Sequence, residues 1–293
     1  PSHFHFDKSS SFSVLHIIDV PTRSPVTFKQ VRPMSSNASI PKIIAYAAAT
    51  AEPVSTLSPM LSSTMSNMMA PAPGTPAVPM LAKVPVMVDF GEHQPTNSIK
   101  SLFLEHLRPG DIFTHTFAYG PKDRETVVDD AGIVKPFIFE AQKRGILFDV
   151  GHGGGAFFWR QAVPAIKQGF KPDVISTDLH SDSMNGGMKD MANVMSKFLN
   201  IGLTLEEVIE KSTASPARVI NRPDLGNLSV GSEADVAVFS VKKGNFGFTD
   251  VRRNVLKGTQ KMDAELTIRA GKIVWDLNGV SGPIWDSPQA LTK

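Results

Sequence analysis

The chain has 293 residues, a net charge of +2, and 41% hydrophobic against 20% charged residues, enough for one large domain or two ordinary ones with a buried core. It contains no cysteine, which excludes disulfides and thiolate metal sites and leaves His, Asp, Glu or a modified Lys as metal ligands. Neither nucleic-acid nor membrane partners are expected, because no dense basic patch appears beyond Lys242–Lys243 and Arg252–Arg253 and no run of roughly 18 apolar residues occurs.

Residues 1–80 are atypical. The opening PSHFHFDKSS lacks the basic end and apolar core of a secretory signal, and a cytoplasmic location is expected. No glycine precedes Gly74, and between Ser35 and Ala82 only Lys42 and Glu52 are charged. Such a stretch cannot supply the turns of repeated strand–helix units. Strand-like runs lie at Val14–Val20 and Val26–Val31, Ile43–Thr50 is either a strand or a short helix, and 51–80 reads as linker or disorder.

From 81 to 222 the pattern alternates. VPVMVDF (84–90) is a buried strand, Ser98–Leu107 a helix, DIFTH (111–115) a strand and Gly132–Arg144 a helix. Ile146–Val150 is a strand, followed by a glycine loop over Gly151–Gly155. Ala156–Gln168 is a helix that Pro164 should bend or re-phase, and Val174–Thr177 is the next strand. Met188–Leu199 is a helix whose methionines sit at core spacing. Thr204 and Glu207 form a capping box, and Ser215-Pro216 reads as an N-cap with proline at N1. Four strands, each followed by a helix, fit half of a distorted (β/α)₈ barrel, which in full takes about 250 residues. A doubly wound sheet also fits. From 223 to 293, LGNLSVGSEADVAVFSV (225–241) and AELTIRAGKIVWDLNG (264–279) alternate like antiparallel strands of a small β unit with a tail.

The four strands of the alternating part end in Asp89, His115, His152 and Asp178. One such residue means little, but recurrence at matching positions brings the side chains to one face of a barrel. Carboxylate plus imidazole suits zinc or a similar divalent ion, which lowers the pKa of its water towards about 7. Two rival motifs are present. Gly151-His-Gly-Gly-Gly-Ala156 fits G-x-G-x-x-G/A with Asp178 downstream, the setting of a nicotinamide-dinucleotide oxidoreductase. The HGGG string suits an esterase oxyanion loop, but no G-x-S-x-G elbow accompanies it.

VMVDFGEH, RPGDIFTH, FDVGHGGGAF, ISTDLH and VMSKFLNIGLTLEEVI, in that order, resemble the amidohydrolase superfamily, and most of all its dihydroorotase-like amidohydrolase/deacetylase group. LGNLSVGSEADVAVF and LTIRAGKIVWDLNG are similar to that superfamily's small β domain. The likeness covers about 84–286. It implies a (β/α)₈ barrel whose second half, strands five to eight, is clear and whose first half is divergent or missing. It also implies one or two divalent metal ions, zinc foremost, and hydrolysis of an amide, cyclic amide or ester of a small molecule by metal-bound hydroxide. Carried over by position, His115, Asp178 and Asp89 are metal ligands, and Asp178 is the general base. Asp89 stands where the family has His. His152, Gly153, His180 and His93 are substrate contacts at the pocket rim, with His93 also a stand-in for Asp89. The family's first-strand His-x-His has a counterpart in form only, at His3 and His5, and Lys42 and Lys83 are bridging lysines only by elimination. A catalytically inactive truncated barrel remains an alternative, and so does a homo-oligomer that completes an open half.

Overall fold

A computed structural model describes residues 85–89, 98–120 and 125–287, together with the backbone of 43–46. Three two-residue strands, β2 (Met87–Val88), β3 (Ile112–Phe113) and β4 (Leu147–Phe148), pair in parallel with Met87, Ile112 and Leu147 in register. A parallel bridge from Asp149 to Val174 adds a fourth segment. Each segment lies beside the next one in sequence. Among the described residues that sequential order runs in one direction, without the reversal that a doubly wound sheet uses.

The connecting helices form where local chemistry starts and stops them. Ser98 caps α1 (Ile99–Ser101) by accepting from Ser101 N–H, and the chain runs on as a π-helical turn over Leu102–His106. Pro136 opens α2 (Pro136–Arg144), and Gly145, left-handed at φ 94°, closes it. Helix α3 (Trp159–Lys167) runs through Pro164, beginning later than the sequence pattern suggests. A short α4 (Ser181–Met184) follows the fourth strand segment. Asp190 caps α5 (Met191–Leu199), and the Thr204–Glu207 box caps α6 (Leu205–Ser212) in both directions. Helix α7 (Ala214–Val219) starts one residue before Ser215, with Thr213 at its N-cap. Pro216 therefore sits inside the first turn, where a missing N–H costs nothing.

The strands of the β unit are longer than the sequence suggests. β5 (Val236–Thr249) and β6 (Val255–Arg269) form one antiparallel hairpin, β7 (Lys272–Asp276) pairs beyond β6, and β1 (Ile43–Tyr46) pairs antiparallel with β5. The distal half of the hairpin, KKGNFGFT facing VLKGTQK, carries lysines and glycines, residues that avoid strands when unsupported. Packing overrides that preference. Trp159 Nε1–H donates to Phe248 O (3.2 Å) and Asn254 O (3.0 Å), Met262 N–H donates to Ser196 Oγ, and Asn200 bonds Thr259 and Gln260.

The core beneath the parallel sheet is aromatic. Phe148 is wholly buried and meets Phe170 edge-on at 5.0 Å and Phe103 at 5.4 Å, and Phe103 meets Phe113 at 4.8 Å. Among the described residues no helix is long and apolar enough to cross a membrane. Phe148→Ala removes the hub of this cluster. It is expected to cost about 3–5 kcal/mol in urea unfolding; a loss below about 1 kcal/mol would show that the cluster does not carry the fold.

Candidate active site

The site is built where the parallel segments stop. Asp89 follows β2, Thr114 and His115 follow β3, Asp149 and Gly151 follow β4, and Ser176 and Asp178 follow the bridge at Val174. These residues line a cavity of about 440 Å³ together with Met87, Ile112, Val174, Pro216, Val219 and Ile220. The mouth is shared by Asp89, His115 and Asp178 with Gly154, Gly155, Ala156, His180 and Asp182.

His115 and Asp178 both have left-handed backbone, at φ 57° and 47°. Such conformations cost on the order of 1 kcal/mol or more in a non-glycine residue and gather at functional sites. The turns re-aim each side chain from the sheet face to the strand end. His115 Nδ1 lies 2.6 Å from Gly151 O. A carbonyl only accepts, so Nδ1 carries the hydrogen. His115 Nε2 then faces Asp89 Oδ2 at 3.5 Å. Two electron-rich atoms set towards one another suit a proton or a cation between them.

Asp178 packs against the glycine loop. A Cβ on Gly153 would stand 2.4 Å from Asp178 Oδ2, and one on Gly151 would stand 2.3 Å from Thr114 Oγ1 and 2.7 Å from His115 Nδ1. Both glycines also have positive φ, so the loop needs glycine there on two counts.

Below this layer lies Asp149, a residue that sequence reasoning missed. It is buried, and its Oδ2 accepts from Thr114 Oγ1 (2.6 Å) and Ser176 Oγ (2.9 Å). Its Oδ1 has no hydrogen-bond partner among the described residues. Burial pushes the carboxyl above its ordinary pKa, against the pull of Thr114, Ser176 and the nearby His115. The signal was a lone carboxylate inside the apolar run Ile146–Val150.

Placement of His152 at the pocket rim is corrected. Its ring is buried, stacked on Phe157 at 4.5 Å, with Nε2 2.6 Å from Lys197 Nζ. Loop residues alternate in direction, so Gly151 and Gly153 face the strand ends while His152 faces the core. Gly153 therefore abuts Asp178 and lines neither the cavity nor its mouth, whereas His180 is exposed at the mouth. His93, His3, His5, Lys42 and Lys83 lie outside the described residues.

The dinucleotide reading of the loop gains no support. Gly151 N–H donates to Ser176 Oγ and Gly153 N–H to Thr177 O, so the next strand already takes the donors that a pyrophosphate would need. Helix α3 begins only at Trp159, well past the glycines.

Asp89, His115 and Asp178 are cation donors by type, and the facing of His115 Nε2 on Asp89 fits a bound cation. Among the described residues, however, no group of three His, Asp or Glu stands close enough to hold a metal ion by itself. The donor set is a partial one.

Residues 158–274 match the model of the amidohydrolase family. That stretch is under half of this chain, and over it the chain is similar to the amidohydrolase family. It is similar to a deacetylase of Brucella anthropi, with 37% identity over 175 residues, covering 60% of this chain and 42% of that protein. Among solved structures, the chain is similar to an adenine deaminase (TM-score 0.61, 29% identity, 67% of this chain and 52% of that one) and to a dihydroorotase (TM-score 0.58, 32% identity, 68% and 52%). The chain thus spans less than half the length of that deacetylase and 52% of each of those solved chains.

The buried histidine gives a pH prediction. Burial first, and the charge of Lys197 second, hold His152 down to about 3 from an ordinary 6.5. Between those values the unfolded chain binds a proton that the folded chain refuses, so stability falls as pH falls from 6.5 towards 3. Replacing His152 with Phe should flatten that decline by up to about 1.4 kcal/mol per pH unit. Denaturant unfolding at pH 5 to 7 reads the difference; equal slopes in both proteins would mean that His152 is already charged in the fold.

Proposed function

We propose that this chain is an amidohydrolase that carries the second half of a (β/α)₈ barrel and hydrolyses an amide, cyclic amide or ester bond of a small molecule with a divalent cation, zinc by donor type. The observation that carries the reading is the convergence of His115 and Asp178, both turned into left-handed backbone, on one cavity with Asp89. Similarity to a deacetylase and a dihydroorotase supports the bond class.

In this reading His115 Nε2, Asp89 and Asp178 hold the cation, and the remaining donors lie outside the described residues. A cation bound there supplies Lewis acidity at the strand ends. Asp178 takes the proton from the attacking water and returns it to the leaving group. Gly151 O keeps His115 in the tautomer that presents Nε2. His180, at the mouth, is placed to meet the outer part of a substrate. The apolar wall of Ile112, Val174, Val219 and Ile220 favours an uncharged acyl portion.

Asp178→Asn keeps the side chain's size and removes its basicity. In zinc-supplemented full-length protein, against a panel of N-acetyl amino acids, cyclic amides and aryl esters, it should lower kcat by about 10²-fold or more with an unchanged circular dichroism spectrum. Full turnover in the variant would overturn the role of Asp178. No turnover of any panel member by the wild type would favour an inactive barrel half.

A further inference from the structure

Lys197 is a lysine on the buried face of a helix, between Met195 and Phe198, and its side chain has no exposure to solvent. Its ammonium has three hydrogens and meets three acceptors. These are His152 Nε2 at 2.6 Å, Gly187 O at 2.7 Å and Thr249 O at 2.6 Å. The rings of Phe157 and Trp159 lie 5.0 and 5.5 Å from the nitrogen. The acceptors belong to three separate pieces of chain: the glycine loop, the segment after α4 and the end of β5.

The hydrogen bonds also fix the imidazole. Lys197 donates to Nε2, so Nε2 is bare, and Nδ1–H donates to Gly153 O at 2.9 Å. His152 is thereby held at both ring nitrogens and by its stack on Phe157. Its neighbours on either side are Gly151, whose carbonyl accepts from His115 Nδ1, and Gly153, against which Asp178 Oδ2 packs. The three-residue loop thus has its two flanks on the strand-end side chains and its centre bolted to an ammonium in the core.

We propose that Lys197 is the positioning residue of the site: through His152 it sets the Gly151–Gly153 backbone that seats His115 and Asp178, and through Thr249 O it makes that seating depend on the docked β5–β6 hairpin. Lys197 touches neither the cavity nor its mouth, so it acts only through the loop. The inference rests on the proposed hydrolase only for its kinetic readout.

The test uses the full chain labelled with ¹⁵N at histidine. In the wild type, ring spectra should show His152 as the Nδ1–H, bare-Nε2 form and a protected, low-field Nδ1–H signal from His115; the opposite tautomer at His152 would overturn the proposal outright. Lys197→Met, and His152→Phe should the first variant not fold, are then expected to displace or abolish the His115 signal while circular dichroism persists. They should also lower kcat on the order of 10²-fold with KM little changed. In the double variant the losses should not add. A folded variant of either kind with the His115 signal at its wild-type position would also overturn the proposal. If the wild type hydrolyses nothing, the hydrolase reading falls, and the His115 and His152 signals still decide the role of Lys197.

Discussion

An ammonium group taken out of water must find an acceptor for each of its hydrogens, or the fold loses several kcal/mol. Lys197 meets that demand with acceptors from the glycine loop, the segment after α4 and the end of β5. Much of the architecture follows from that requirement. The hairpin must come close enough to lend Thr249 O, and it is held there by Trp159, Ser196 and Asn200. The loop must turn His152 inward, and so its neighbours must be glycines that face the other way. Aromatic rings at Phe157 and Trp159 then cover the charge at the distances where a cation is attracted to them. Burial pulls the ammonium's pKa down to about 7, with the Asp250 charge opposing. The charged form is the one that satisfies all three acceptors beside a neutral His152.

On the other side of the same loop, the parallel strands stop short. Each is only two residues long before its chain turns, and the turns at His115 and Asp178 are made by residues that ordinarily avoid left-handed backbone. The strain is held in place by bonds that leave little choice: His115 to Gly151 O, and Thr114 and Ser176 to the buried Asp149. Asp149 ties the segments on both sides of its own strand, so the polar ends move together. Catalytic geometry in such a site is a property of the loop-and-strand frame more than of any one side chain.

Much of this was legible in the sequence. Alternation of apolar strands with capped helices, the Thr204–Glu207 box, and the placement of Asp89, His115 and Asp178 after the first, second and fourth parallel segments all follow from residue type and spacing. What could not be read has physical causes. His152 has the same local signature as a rim histidine, and only the alternation of a three-residue loop, decided by close packing of Gly151 and Gly153, turns it inward. Lys197 sits in MSKFL, where helical spacing points to core and residue type points to solvent; its three acceptors come from residues 10 to 52 positions away, invisible to local pattern. The distal hairpin was missed because Lys242, Lys243 and Gly244 disfavour strands until Lys242 gains Asp263 across the ladder.

The claim on which the functional reading turns is that the strand ends hold a divalent cation. Isothermal titration of cobalt(II) into chelator-stripped full-length protein, with visible absorption recorded alongside, tests it directly. Saturable binding with a ligand-field spectrum, lost in His115→Ala at unchanged circular dichroism, is the predicted result. Absence of saturable binding in the wild type, or equal binding by wild type and His115→Ala, would contradict it.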